Sequence, residues 1–307
     1  MLLRSGTTTV GDIEAVPELL PQMWNATPLR VVSFLEMTGV RSRREPAAIL
    51  AESVRTIRSL AHPRCFAGLS PHAPYSTLPG LLRQSATTAR RHGWRVATHV
   101  AESAAEYEMF LHGRGELFDW LRRNERDMSD CGGVSPVQHL AGAGLLGPNL
   151  VATHVNYLSP GDAELLARNR VSVVHCPRSH DYFRHAAFPR SALAKAGVNL
   201  CLGTDSLASV RKHPKHELEL NLFHEMRVFA RAHPGVAPEQ ITRMVTMNGA
   251  LALGLRGRAG ELRANSYADV IALPYSGGMD DAHNSVLHHR GNVFASMIAG
   301  VWAWRPA

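Results

Sequence analysis

Short β-branched runs alternate with stretches whose apolar residues recur at helical spacing, and this rhythm carries through most of the chain. The runs predict strands over 6–12, 29–38 and 65–69, a fourth that ends at His99, and further strands over 150–156, 171–177 and 198–203. Helical spacing predicts helices over 45–61, 79–92, 136–143, 160–169, 190–196, 216–232 and 238–254. One or two more lie over 104–123 with Trp120 packed, and a loop covers 178–189. Strand-then-helix alternation is the signature of a parallel sheet with helical crossovers. Past 255–260 the texture turns to Arg and Gly, and 268–274 and 293–304 read as short strands with no helix between them. The pattern divides the chain near residue 258 into an α/β unit over 1–258 and a small β-rich tail over 259–307.

The polar residues that close the strands carry the candidate chemistry. Side chains at the carboxyl ends of parallel strands face the place where reactions are run. His99 closes one apolar run with Glu102 three residues on, His154 closes another, and Asp205 follows a third. A strand-end histidine alone is explained by a backbone partner, but an ordered set at one level is not. In a closed barrel these residues converge on one mouth. There His99 and Asp205 can ligate a zinc ion, Glu102 can shuttle protons, and His154 can polarise a C=O or C=N group. Asp205 could also take a proton from a metal-bound water. Pro71 and Pro74 stiffen the loop that carries His72, which suits either a shaped turn or a substrate contact. Asp12 is equally natural as an ordinary strand-end residue or as a group near the metal. His213 and His216 read as a polar helix entry, His288 and His289 as surface, and His175 as packing behind the site.

Composition narrows the choices. With 307 residues and 45% apolar content the chain can bury a full core. No apolar run is long enough to span a bilayer and the first residues lack a signal-peptide core, so the expectation is a cytoplasmic protein without a membrane partner. The net charge of +7 comes from scattered arginines without interleaved aromatics, and the group Arg41, Arg43, Arg44 falls in a predicted loop. That argues against a nucleic-acid partner. The four cysteines have no C-x-x-C spacing and are expected as reduced, packed thiols.

The motifs Gly6–Thr9, Ser70–Ser76, Thr98–Glu102, Thr153–Asn156, Val174–Pro177, Leu202–Ser206, Asn248–Ala250 and Ala268–Val270 run in order along nearly the whole chain. Together they resemble the amidohydrolase superfamily, in the branch of chlorohydrolases and of S-adenosylhomocysteine-type and aminofutalosine-type deaminases. The resemblance implies a (β/α)8 TIM-type barrel with a small flanking β-sandwich. It implies that His99 and Asp205 are metal ligands, Glu102 the proton shuttle, His154 the electrophilic histidine and His72 a substrate contact. The implied reaction is hydrolytic deamination of an amino-substituted heterocycle, purine or nucleoside-like, by metal-bound hydroxide. Chlorohydrolase or amide-type hydrolysis is the alternative.

Two departures matter. The H-x-H motif that the family carries on its first barrel strand is absent, so the resemblance implies an N-terminally truncated barrel lacking that strand, with only the C-terminal remnant of the β-sandwich. Zinc, or another divalent metal such as iron or manganese, would then be weakly bound or absent, and the chain could be catalytically silent or pair as a homodimer. After His175, Cys176 and Pro177, the family's Ser-Asn becomes Ser179 and His180, which makes His180 a candidate substrate contact.

Overall fold

The computed structural model describes residues 1–40, 44–212 and 217–305. Seven strands pair in parallel and in sequence order: β1 (Thr9–Glu14), β2 (Arg30–Met37), β3 (Cys65–Pro71), β4 (Val96–Val100), β5 (Leu150–His154), β6 (Ser172–His175) and β7 (Asn199–Leu202). Helices link successive strands, as crossovers between parallel strands require. The fold is a TIM-type (β/α) barrel wall, with β1 and β7 as its edges among the described residues. A separate antiparallel sheet, β8 (Val270–Ala272), β9 (Ala295–Ile298) and β10 (Val301–Trp304), forms the tail.

Strand alternation sorts the core. Val32, Phe34, Ala97, Val151 and Cys201 form an inner cluster with Ala252, while Val31, Leu35, Val96, Val100, Leu150 and Ala152 face the helices. Helix ends follow local chemistry. Pro79 opens helix Pro79–His92 and left-handed Gly93 closes it, while Ser135 and Gln138 form a capping box on helix Pro136–Gly142.

Several expectations are corrected. Within the stretch predicted as a loop lies helix Pro177–Phe183, started by its proline. The 104–123 stretch holds two helices, Ala104–His112 and Glu116–Arg123, within the one or two expected, but Trp120, expected to pack, is 44% exposed. The helix predicted from 216 begins at Leu222, where the Asn221 side chain caps it. The helix predicted over 238–254 is broken at Thr246. Helix Ala282–His288 interrupts the tail, and His289, expected at the surface, packs its ring 4.8 Å from Phe223. The expected roles of His213 and His216, and of Arg41 and Arg43, concern positions outside the described residues. The cysteines are free thiols, with Cys65, Cys176 and Cys201 buried.

Candidate active site

The site grows from the pairing of β4 with β5. Ala97 faces the barrel interior, so pleating puts His99 on the same inner face. Its ring Nδ1 lies 2.9 Å from the His72 carbonyl oxygen, and its backbone N–H donates to the same oxygen at 2.8 Å. A carbonyl can only accept, so Nδ1 carries the proton and Nε2 keeps its lone pair. The Thr98 hydroxyl pins the loop by donating to the Pro71 carbonyl at 2.6 Å.

His154 should point the other way. Val151 is interior, so alternation turns residue 154 outward. The backbone overrides this: His154 and Val155 adopt left-handed φ of 76° and 52°. The reversal stacks the His154 ring on His99, centroids 5.5 Å apart and planes within 21°. Left-handed backbone also recurs at Ala101 and at Asp205, whose φ values are 50° and 53°. Non-glycine residues adopt this conformation at a cost, and such residues cluster at functional sites.

The turn at Ala101 brings Glu102 back to the mouth, with its Oε1 3.6 Å from His154 Nε2. Two residues that the sequence reading passed over hold that turn. Glu106, fully buried, accepts the Ala101 and Glu102 backbone N–H groups at 2.9 Å each, and the Asn156 amide donates to the Glu102 carbonyl at 2.9 Å. The pattern Ser103-x-x-Glu106 was legible as a capping box. What it could not reveal is that the carboxylate reaches past the cap to the turn.

Asp205 completes the group. Its Oδ2 accepts the Ser179 hydroxyl at 2.6 Å and its Oδ1 the Ser206 N–H at 2.7 Å. The carboxylate lies close enough to His99, His154 and Glu102 to influence the charge state of each. Burial pushes the Glu102 carboxyl up to about 7, and Asp205 adds to the effect. Burial, with His99 adding, lowers His154; burial, with His72 adding, lowers His99, so both rings are neutral at pH 7. For Asp205 burial works upward, but hydrogen bonds from Ser179, Ser209 and Ser206 act against it, and the carboxyl stays below its usual value.

Of the other sequence-predicted residues, His72 sits with its ring 4.9 Å from that of His99 and its Nδ1 2.6 Å from Ser76 Oγ. His180 connects through Asn156, Nδ1 to Oδ1 at 3.1 Å. It also lines a cavity of ≈ 250 Å³ together with His175, Arg184, Phe188 and His233. Asp12 is not at the mouth: it shares the outward face of β1 and receives the Ser33 hydroxyl at 3.5 Å. Glu36, which the sequence reading did not single out, follows Val32 and Phe34 on the inner face of β2 and influences the charge of His99.

The donor set suits a divalent ion in kind, with an imidazole Nε2 and a carboxylate, but not in number. No three His, Cys, Asp or Glu side chains among the described residues are grouped to hold one.

Comparison with known proteins gives a consistent picture. The sequence profile of the amidohydrolase family matches residues 1–303. A 5-methylthioadenosine/S-adenosylhomocysteine deaminase of Syntrophobacter fumaroxidans is 34% identical over 286 residues, which cover 89% of this chain and 59% of that protein. An aminodeoxyfutalosine deaminase of Deinococcus radiodurans is 30% identical over 265 residues, covering 83% of this chain and 62% of that protein. The chain thus spans about three-fifths of the curated relatives it matches. Among solved structures, Helicobacter pylori aminofutalosine deaminase superposes with a TM-score of 0.82 at 22% identity, over 97% of this chain and 74% of that one. A zinc-bound adenosine deaminase from Xanthomonas campestris gives 0.80 at 23%, over 97% and 66%.

Proposed function

Because the chain belongs to the amidohydrolase family, we propose that its site serves hydrolytic deamination of an adenine-type nucleoside, a small molecule like those after which its relatives are named. The observation that carries this reading is the grouping of neutral, stacked His99 and His154 with Glu102, whose carboxyl sits near 7. A group with such a pKa gives and takes a proton with equal ease at neutral pH, which suits general acid–base work. Glu102 takes one proton from the attacking water and delivers it to the ring nitrogen; the second proton, left on the added oxygen, passes to the amine, which departs as ammonia while that oxygen becomes the carbonyl. Neutral His154 hydrogen-bonds the oxygen that adds to the ring carbon. His72 and His180 flank the substrate, and Glu106 and Asn156 keep Glu102 at working distance.

His99 and Asp205 are the residues that would hold a divalent ion, and such an ion supplies the Lewis acidity that brings a water's pKa down towards 7. Ammonia release from adenosine, 5-methylthioadenosine and S-adenosylhomocysteine, measured on the zinc-loaded chain, tests the reading. Glu102→Gln should cost about 10²–10⁴-fold in turnover with metal content unchanged; unaltered turnover removes Glu102 from the mechanism. The two-donor count favours a second reading, in which this chain holds metal weakly and turns over nothing. Tightly held stoichiometric zinc in the purified chain rules that out.

A further inference from the structure

Helix Pro177–Phe183 stands where the family-like pattern breaks, and it touches both halves of the site. On one side Ser179 donates to Asp205 Oδ2 at 2.6 Å. On the other, His180 meets Asn156, whose amide holds the Glu102 carbonyl. A single rigid turn therefore ties the carboxylate on β7's exit to the glutamate on β4's exit.

The helix is itself anchored from behind. Glu225, on helix Leu222–Ala232, is fully buried and accepts the Arg178 backbone N–H at 2.9 Å through Oε2. Its Oε1 makes no hydrogen bond and lies 3.7 Å from Arg178 Nη1, while that guanidinium donates to the Glu219 carbonyl at 2.8 Å. A carboxyl oxygen at the start of a helix satisfies an N–H that the helix cannot. Burying it without a full set of partners is unfavourable, so its presence points to a demand beyond packing.

We infer that Ser179 is a positioning residue for Asp205, and that Glu225 holds helix Pro177–Phe183 in the register that lets it act. With Ser179 on Oδ2, Ser206 N–H on Oδ1 and Ser209 adding a further hydrogen bond, the Asp205 carboxylate has its plane and rotamer fixed, and Ser179 is the donor that comes from a different segment. The carboxylate presents its remaining lone pairs in one direction. The inference rests on the reading of Asp205 as a metal-holding residue.

The test uses the full chain and cobalt(II) or zinc(II) as the probe, with affinity measured by competition against a chromophoric chelator. The visible cobalt band reports coordination geometry. Ser179→Ala should weaken binding about 10–100-fold, the range found when outer partners of metal ligands are removed, and should shift the cobalt band. Ser179→Thr, which keeps the hydroxyl, should restore both. Glu225→Leu should mimic Ser179→Ala, while Glu225→Gln, which keeps an oxygen for the Arg178 N–H, should behave as the parent. Parent-like affinity and band in Ser179→Ala, with the parent binding metal, overturn the positioning role alone. If the parent binds neither ion, the metal reading of Asp205 fails and the inference falls with it. Circular dichroism on each variant separates a lost fold from a lost contact: a Ser179→Ala that loses affinity only by unfolding also counts against the inference.

Discussion

Glu225 keeps a carboxyl away from water, and burial pushes its pKa from an ordinary 4.5 up to about 8 despite the Arg178 N–H and guanidinium. The folded chain therefore retains a proton there that the unfolded chain releases between pH 4.5 and 8. Stability falls as pH rises through that interval, by about 1.4 kcal/mol for each pH step that this group controls. Glu225→Gln carries no such penalty. Its melting temperature relative to the parent should rise between pH 5 and pH 8, and a constant difference in thermal melts would show the carboxyl to be ionised throughout. Burial pushes the Glu106 carboxyl up to about 7 as well, although its two oxygens each take a backbone N–H. Glu106→Ala leaves both donors buried without partners, at about 1–3 kcal/mol each. Urea unfolding should show that loss. At this scale His99, His154, Glu102 and Asp205 stood out as candidates because His99 and His154 close apolar runs and Glu102 and Asp205 follow just past the ends of such runs. Glu106, Asn156 and Ser179 were not, since what they do depends on which distant backbone group they meet.

At the scale of elements, strands and most helices follow from local rules, and the departures have local causes. Gly113 and Gly115 separate the two helices of 104–123, and Thr246 breaks the helix that periodicity runs over 238–254. Helix Pro177–Phe183 was hidden because its polar sequence lacks apolar periodicity; it forms around contacts with Glu225, Asp205 and Asn156. The barrel wall also depends on one close approach. A Cβ on Gly68 of β3 would sit 2.5 Å from the Arg95 carbonyl oxygen and 3.2 Å from Phe34. Backbone cannot yield as a side-chain tip can, so Gly68→Ala should cost about 3 kcal/mol or more in denaturant unfolding. Gly93→Ala meets open space and suffers only its left-handed φ, so about 1 kcal/mol is expected. Equal losses would mean that β3 and β4 do not approach so closely.

Across the whole molecule, the barrel and the tail are joined by a buried pair. Arg30 of β2 reaches Asp269 with two hydrogen bonds, of 3.0 and 3.2 Å, and both side chains are all but inaccessible, at 2% and 3% exposure. Tyr267 lies 3.6 Å beneath the guanidinium, and Asp269 also accepts the Ala299 N–H at 2.8 Å. Removing one partner strands a buried charge, so Arg30→Met or Asp269→Leu alone should cost about 3–5 kcal/mol. The double variant should cost less than the two singles together. Additive losses in a double-mutant cycle would show that the charges do not interact. No described helix is long and apolar enough to cross a membrane.

The sequence by itself determined the alternation of strands and helices and the order in which imidazole and carboxylate groups leave the strands. These depend on periodicity and spacing, which neighbouring residues settle among themselves. Only the tertiary structure decided that His154 turns inward, that a helix behind the mouth grips Asp205, and that Asp12 faces away. Each of those outcomes depends on a left-handed residue or a hydrogen bond between segments far apart in the chain, whose stability is fixed by the partner's position rather than by the residue's own neighbours.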